Sequence, residues 1–295
     1  GVAGASFAVA LPLASRWYPP ERQGLAMGIA AAGNSGTIIT NLVAPRLANL
    51  YGWHNVFVLA MIPLVVVLIA FVFLAKESPN QPKGQPFSSY TKIFRSGDLW
   101  WFCLLYSVTF GGFVGLGSFL PIFLRDQYQV TPITAGYLVA LIAFVGSGIR
   151  PIGGWLADKV GGVRLLSILL FGISLAYFLC SQLPSLTIMV VILMFGMACL
   201  GSGNGAVFQL VPQRFRQEIG LATGIVGAIG GVGGFFLPTL LGNLKQTFGS
   251  FASGFIVLGC MALIAAIALR VLVAIQQGWK LSWQLPQTTE ALEEA

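Results

Sequence analysis

The chain has 295 residues, 56% of them hydrophobic and 8% charged, with a mean hydropathy of +0.84 and a formal net charge of +7. A soluble globular chain carries about 25% charged residues, so this one cannot coat itself for water and a free soluble domain is excluded. The positive balance does not mark a nucleic-acid partner, because the basic residues are sorted along the chain in a pattern that has another cause.

Asp, Glu, Lys and Arg are absent from 23–45, 47–75, 99–124, 127–149, 165–213, 219–244 and 246–269. A membrane-spanning helix needs roughly 20 apolar residues. Each run therefore holds one helix, except 165–213, which holds two divided at "SQLPS" (Ser181–Ser185). The predicted spans are 1–16, 24–48, 54–75, 99–124, 132–157, 163–181, 185–212, 219–244 and 251–275, nine helices of an all-α membrane protein. A β-barrel would instead show short alternating segments.

The longest polar break, Lys76 to Asp98, is rich in Pro, Ser and Lys and reads as a cytoplasmic linker. It separates a first bundle within 1–75 from a six-helix bundle within 99–276. Residues 277–295 are expected to form a loosely ordered cytoplasmic tail. With the linker inside, twelve Lys and Arg lie on the cytoplasmic side and only Arg46, Arg125 and Lys245 on the other, as the positive-inside rule requires. The sixteenth basic residue is Arg150. Trp17, Trp53, Trp100, Trp101, Trp155, Trp279 and Trp283 fall near span ends, as an interfacial belt should. The expected setting is the cell's inner (plasma) membrane, crossed many times, with the lipid bilayer as a partner.

An internal repeat runs through the chain. "GLAMGIAAAGNSG" (Gly24–Gly36) is similar to "GLATGIVGAIGGVGG" (Gly220–Gly234), offset by 196 at first and by 197 where Gly33, Gly36 and Gly52 meet Gly230, Gly233 and Gly249. In the second half 121 residues separate position 99 from Gly220, whereas 23 precede Gly24. About 100 residues, enough for three helices, are expected to be missing from the first half of a twelve-helix protein made of two six-helix halves, an organisation common among secondary transporters.

Enzyme constellations are absent. The single histidine is His54, and no Walker loop or metal-ligand spacing occurs. Cys103, Cys180, Cys199 and Cys260 read as packing residues, so no metal and no cofactor is expected. No acid lies in the middle of a span. Arg150 does, among the glycines of "IAFVGSGIRPIGGWLADKVGG". Such a residue costs about 2.5–3.5 kcal/mol on insertion scales, and it stays charged. Either it snorkels along about 10 Å of helix towards residue 157, or it faces an anion or a pathway, where its fork can hold two oxygens of a planar oxyanion. Asn34 in "GNSG", and Asn204 and Gln209 in "GSGNGAVFQLVPQ", are amides at membrane depth that need partners in other helices or in a substrate. Tyr106 and Phe110 share a helix face at i, i+4, and Phe7 and Phe208 are further candidates for an aromatic, dry cavity that would favour a weakly hydrated anion.

"GGWLADKVGGVR" (Gly153–Arg164) resembles the cytoplasmic loop signature of the major facilitator superfamily, with Gly154, Asp158, Lys159, Gly161 and Arg164 in a gate loop. "LYGWHNVF" (Leu50–Phe57) resembles the start of that superfamily's helix 6. Within it, "AAGNSG", "GAIGGVGGFFLP", "SGIRPIGGWLAD", "FGGF" and "GNGAVFQLVPQ" resemble the nitrate/nitrite porter family, which carries a glycine-rich signature in each half. The resemblance covers nearly the whole chain as helices 4 to 12, and implies the major facilitator fold with nine of an expected twelve helices.

The resemblance further implies that nitrate sits between two arginines, one per half. Arg150 matches the one in the second half; the other belongs to helix 2, which this chain lacks. It also implies substrate roles for Asn34, Tyr106, Asn204 and the aromatics Phe7, Phe110 and Phe208, and makes Gly33, Gly36, Gly230, Gly231, Gly233 and Gly234 the signature glycines. Ser35 departs from the family, in which a larger residue is common. The expected function is secondary transport of nitrate or nitrite by alternating access, as uptake or exchange, by a monomer. The alternatives are a facilitator for another small anion or organic solute, and a membrane sensor or assembly subunit that transports nothing.

Overall fold

The computed structural model describes Trp17, Tyr18 and residues 22–76, 92–215 and 218–283. The predicted first span 1–16, with Phe7, lies outside the described residues, as do most of the linker and residues 284–295. Among the described residues all regular structure is helical.

The first element, α1 (Gln23–Ala31), leads through a 3-10 turn, Ala32–Ser35, into α2 (Gly36–Tyr51) and then α3 (Trp53–Leu74). After the linker come α4 (Gly97–Tyr106), a π-helical turn (Ser107–Gly111), α5 (Gly112–Tyr128), α6 (Pro132–Gly148), α7 (Arg150–Val160), α8 (Gly162–Cys180), α9 (Leu186–Arg214), α10 (Ile219–Phe248), α11 (Ala252–Ile275) and α12 (Gln277–Trp283). Taken with their breaks, seven helical segments among the described residues are long and apolar enough to cross a membrane: Trp53–Leu74, Gly97–Tyr128, Pro132–Val160, Gly162–Cys180, Leu186–Arg214, Ile219–Phe248 and Ala252–Ile275. They coincide with predicted spans, to within a few residues at their ends.

Three predicted spans are not plain α-helices. Residues 24–48 are divided by the turn that carries Asn34. Residues 99–124 widen into the π turn, where Ser107 Oγ donates to the Cys103 carbonyl (2.8 Å) and to the Ile229 carbonyl of α10 (3.3 Å). Residues 132–157 break at Ile149. Pro151 has no N–H, and its ring displaces the carbonyl four residues earlier, at Ser147.

The buried apolar cluster occupies the region from α4 to α12. There α8 packs on α9 and α11, α9 lies along α6 and α7, and α10 lies along α4, the π turn and α5. The segment 22–51 runs beside the broken helix, with α1 on α7 and both α2 and the 3-10 turn on α6.

The expectation of a loosely ordered tail from 277 onward is corrected for 277–283. Trp279 of α12 is almost fully buried, and its Nε1–H donates to Asp98 Oδ1 at 2.7 Å. Arg214 Nη1 donates to Asp98 Oδ2 at 3.3 Å, and its guanidinium stands 5.3 Å from the Trp279 ring centroid and bonds the Gly278 carbonyl. An indole buries a large apolar area provided its one N–H finds an acceptor, and Asp98 supplies it. Trp279 is thus a docking residue for α12 rather than part of an interfacial belt; Trp17, Trp53, Trp100 and Trp155 remain exposed at the surface.

Candidate functional site

Arg150 opens α7, immediately after the break that Pro151 imposes, and is fully buried. Its guanidinium carbon lies 4.1 Å from the ring centroid of Phe113 and 6.0 Å from that of Phe110. The side chain is therefore lodged among aromatic rings inside the protein, and the snorkelling alternative does not describe it. Ring faces carry the negative end of a quadrupole and stabilise such a cation.

The π turn supplies the next layer. Tyr106 and Phe110 stack with centroids 4.8 Å apart and ring planes 4° from parallel, and Phe208 of α9 meets Tyr106 edge-on at 4.7 Å. Tyr106 and Phe208 are fully buried. The stack is held from behind by the glycine-rich helix α10. A methyl group placed on Gly230 would stand 2.4 Å from Tyr106 Cδ1, and one on Gly111 would stand 3.0 Å from α10 backbone atoms at Gly230, Gly233 and Gly234. Gly233 likewise faces Ser107 and Gly234 faces Val114.

Polar atoms collect beside these rings. Tyr106 Oη, Thr109 Oγ1, Ser147 Oγ, and both amide atoms of Asn204 are buried without a hydrogen-bond partner among the described residues. Gly203, next to Asn204, packs directly on the Thr109 side chain. Gln209 Oε1 is in the same condition, further along α9 against Gly162. Buried polar groups in this state are expected to meet a ligand or water.

The structure thus brings Arg150, Tyr106, Phe110 and Phe208 together, with Asn204 on the helix that carries Phe208. Asn34 is on a separate element: it is half-buried in the 3-10 turn that packs on α6. Gly33, Gly36 and Gly231 have no heavy atom of the described residues within 4 Å of where a side chain would begin. Sequence reasoning missed Phe113, although "FGGF" was in view. The available signal was spacing, since Phe113 follows Tyr106 by seven residues and Phe110 by three, on one helical face. It also passed over Thr109.

The residues expected in a gate loop are mostly helical. Gly154, Asp158 and Lys159 lie on α7, Gly161 forms the single-residue turn with φ +91°, and Arg164 is in the first turn of α8. Asp158 Oδ2 accepts the backbone N–H of Leu25 at 3.0 Å. Leu25 is in the first turn of α1, where the helix has unsatisfied donors and a positive dipole end, so a carboxylate from another helix is favourable there. Lys159 Nζ folds back over the Trp155 ring at 4.1 Å. Deeper along the same contact, a methyl group on Gly28 would stand 2.7 Å from the Arg150 carbonyl oxygen. At the far end Arg46 of α2 lies over the Tyr137 ring of α6, 5.1 Å from its centroid.

The sequence model of the Major Facilitator Superfamily matches residues 1–238. Among curated proteins, the chain is 34% identical over 267 residues to the "Nitrite extrusion protein" of Bacillus subtilis, covering 90% of this chain and 68% of that protein. It is 34% identical over 272 residues to the "Probable nitrate transporter NarT" of Staphylococcus epidermidis, covering 91% and 70%. It is 32% identical to the "Probable nitrate/nitrite antiporter NarK1" of Thermus thermophilus, covering 94% and 70%. Among solved structures it resembles the fucose:proton symporter FucP of E. coli, with a TM-score of 0.69 at 14% identity over 90% of this chain and 72% of that one. It also resembles the proton:xylose symporter XylE, with a TM-score of 0.69 at 16% identity over 89% and 66%. The family match over most of the chain, the membrane-spanning helices and the shared fold agree: this chain is a multi-pass membrane protein of the major facilitator superfamily.

Proposed function

We propose that the protein is a secondary transporter for nitrate and nitrite, working by alternating access. The observation that carries the reading is Arg150, fully buried against the rings of Phe113 and Phe110. A planar oxyanion needs a planar fork of donors, which arginine offers and lysine does not. Phe110, Phe113 and Phe208 make the surroundings apolar, and in such a medium a charge attraction is worth far more than in water. Cations are repelled, and strongly hydrated anions lose more on entering than a weakly hydrated one. The choice of nitrate and nitrite follows the names of relatives at 32–34% identity.

In this reading Tyr106, Thr109 and Asn204 offer the anion their hydroxyl and amide groups beside Arg150, and Asn34 does so from the facing segment. The two bundles, within 1–75 and 99–276, rock about this site with 76–98 as their linker. The bond from Leu25 N–H to Asp158 is the cytoplasmic latch, made when the inner side closes and broken when it opens. Gly230, Gly233 and Gly234 let α10 lie close behind the aromatic stack as the bundle moves. The protein acts as a monomer in the plasma membrane.

The test is Arg150→Lys in the full-length protein, assayed for nitrate and nitrite flux in proteoliposomes. Lysine keeps the charge and loses the fork. Flux falls by at least about tenfold, the equivalent of 1.4 kcal/mol in binding, while the amount of folded protein in the membrane is unchanged. Undiminished flux in this variant would falsify the site. A wild-type protein that moves other anions but neither nitrate nor nitrite would remove the substrate assignment.

A further inference from the structure

We propose that Phe113 is a positioning residue for the anion site: its ring fixes the plane of the Arg150 guanidinium, in a space that Gly146 keeps open for it. The inference rests on the reading of Arg150 as the anion-binding group.

Three observations converge. Phe113, on α5, is buried and has the guanidinium carbon 4.1 Å from its centroid, against 6.0 Å for Phe110. Gly146 lies one turn before Arg150 along the broken helix, and a methyl group there would stand 2.7 Å from Phe113 Cε2 and 3.0 Å from the Met197 carbonyl. The ring is thus wedged against the α6 backbone at a place where any larger residue would push it off the arginine. Finally, Phe113 sits two residues beyond the π turn, so the same local widening that follows Tyr106 and carries Phe110 also sets where this ring points.

The chemistry of guanidinium gives this arrangement a purpose. The group has an in-plane edge that carries its five N–H donors and two faces that carry none. A carboxylate stabilises it through the edge, as a bidentate pair, and so competes with an incoming oxyanion for the same donors. An aromatic ring stabilises it through a face and consumes no donor. Phe113 therefore adds to the stability of the buried charge without occupying a donor, and holds the fork in one plane. Binding then does not require the side chain to be ordered anew, a cost that otherwise falls on affinity.

The measurement is the KM for nitrate uptake and the nitrate affinity of the full-length protein, with Phe113 replaced by mono-, di- and trifluorinated phenylalanine. These analogues keep the ring's shape and drain its negative face. A stepwise rise in KM is expected, reaching about 10- to 30-fold for the trifluoro ring, the size of a desolvated cation–π contact. Phe113→Leu gives a rise of the same order, and Phe113→Tyr stays near wild type. A KM indifferent to fluorination, or falling with it, overturns the proposal, because a residue that only fills space responds to size and not to ring charge. A wild-type protein without nitrate uptake would refute the transport reading instead, so the two failures are separable.

Discussion

The two glycine-rich segments are alike in sequence and differ in backbone. In the second, Ile219–Phe248 is one unbroken helix, and Gly230, Gly233 and Gly234 lay its backbone against Tyr106, the π turn and Val114. In the first, the same pattern breaks into a 3-10 turn at Ala32–Ser35. The ends of the copies still agree, for Gly52 and Gly249 both close their helices with positive φ, +79° and +71°. A duplicated pattern thus keeps its boundaries while its middle differs, and Asn34 stands at the break. A tight contact of the first copy is at Gly28, which lies on the Arg150–Pro151 backbone.

That contrast can be broken by substitution. Gly230→Val should have the largest effect. Its added carbon would stand 2.4 Å from the Tyr106 ring, and overpacking of this kind costs about 1–3 kcal/mol. Nitrate flux is lost and the melting temperature of the purified protein drops. Retained flux would mean that α10 can move away from the stack, and that its glycines are not needed for closeness.

Gly28→Val comes next. The atoms it would meet are backbone atoms of Arg150 and Pro151, at 2.7 and 2.9 Å, which cannot swing aside as a side chain can. The inner gate is held open, and flux falls about tenfold. Nitrate still binds from the cytoplasmic side, and a cysteine placed beside Leu25 reacts faster with a membrane-impermeant thiol reagent added from that side. Unchanged reactivity would show that α1 and α7 do not form the gate.

Much of the fold was legible because a bilayer allows few solutions. Runs such as 219–244 and 246–269 contain no charge and must cross as helices, so the bounds of the helices in them were readable to within a few residues. The interruptions were harder. Pro151 marks the break in 132–157, which was nonetheless read as one helix, and the π turn at Ser107–Gly111 carries no proline, with Ser107 reaching the α10 carbonyl at Ile229. In the site, Arg150 stood out by its cost at membrane depth and Tyr106–Phe110 by their spacing. Phe113 did not, because in a chain with 22 phenylalanines one more on an apolar helix carries no distinguishing mark. The tail misled for a related reason. "QQGWKLSW" is polar enough to be read as free, and it is tied down by the meeting of Trp279 with Asp98, 181 residues away in sequence, and by Arg214 on the Gly278 carbonyl.

The sequence by itself determined that this is a helical membrane protein, where most of its spans run, and that one arginine is stranded among them. Each of these follows from the composition of one segment and the cost of moving it from water to lipid, a quantity local to that segment. The tertiary structure alone decided that Arg150 lies on Phe113, that Asp158 of α7 caps α1, and which of the repeated glycines are in contact. Those outcomes depend on how two helices far apart in the chain approach each other, and a distance between backbones is not written in either helix.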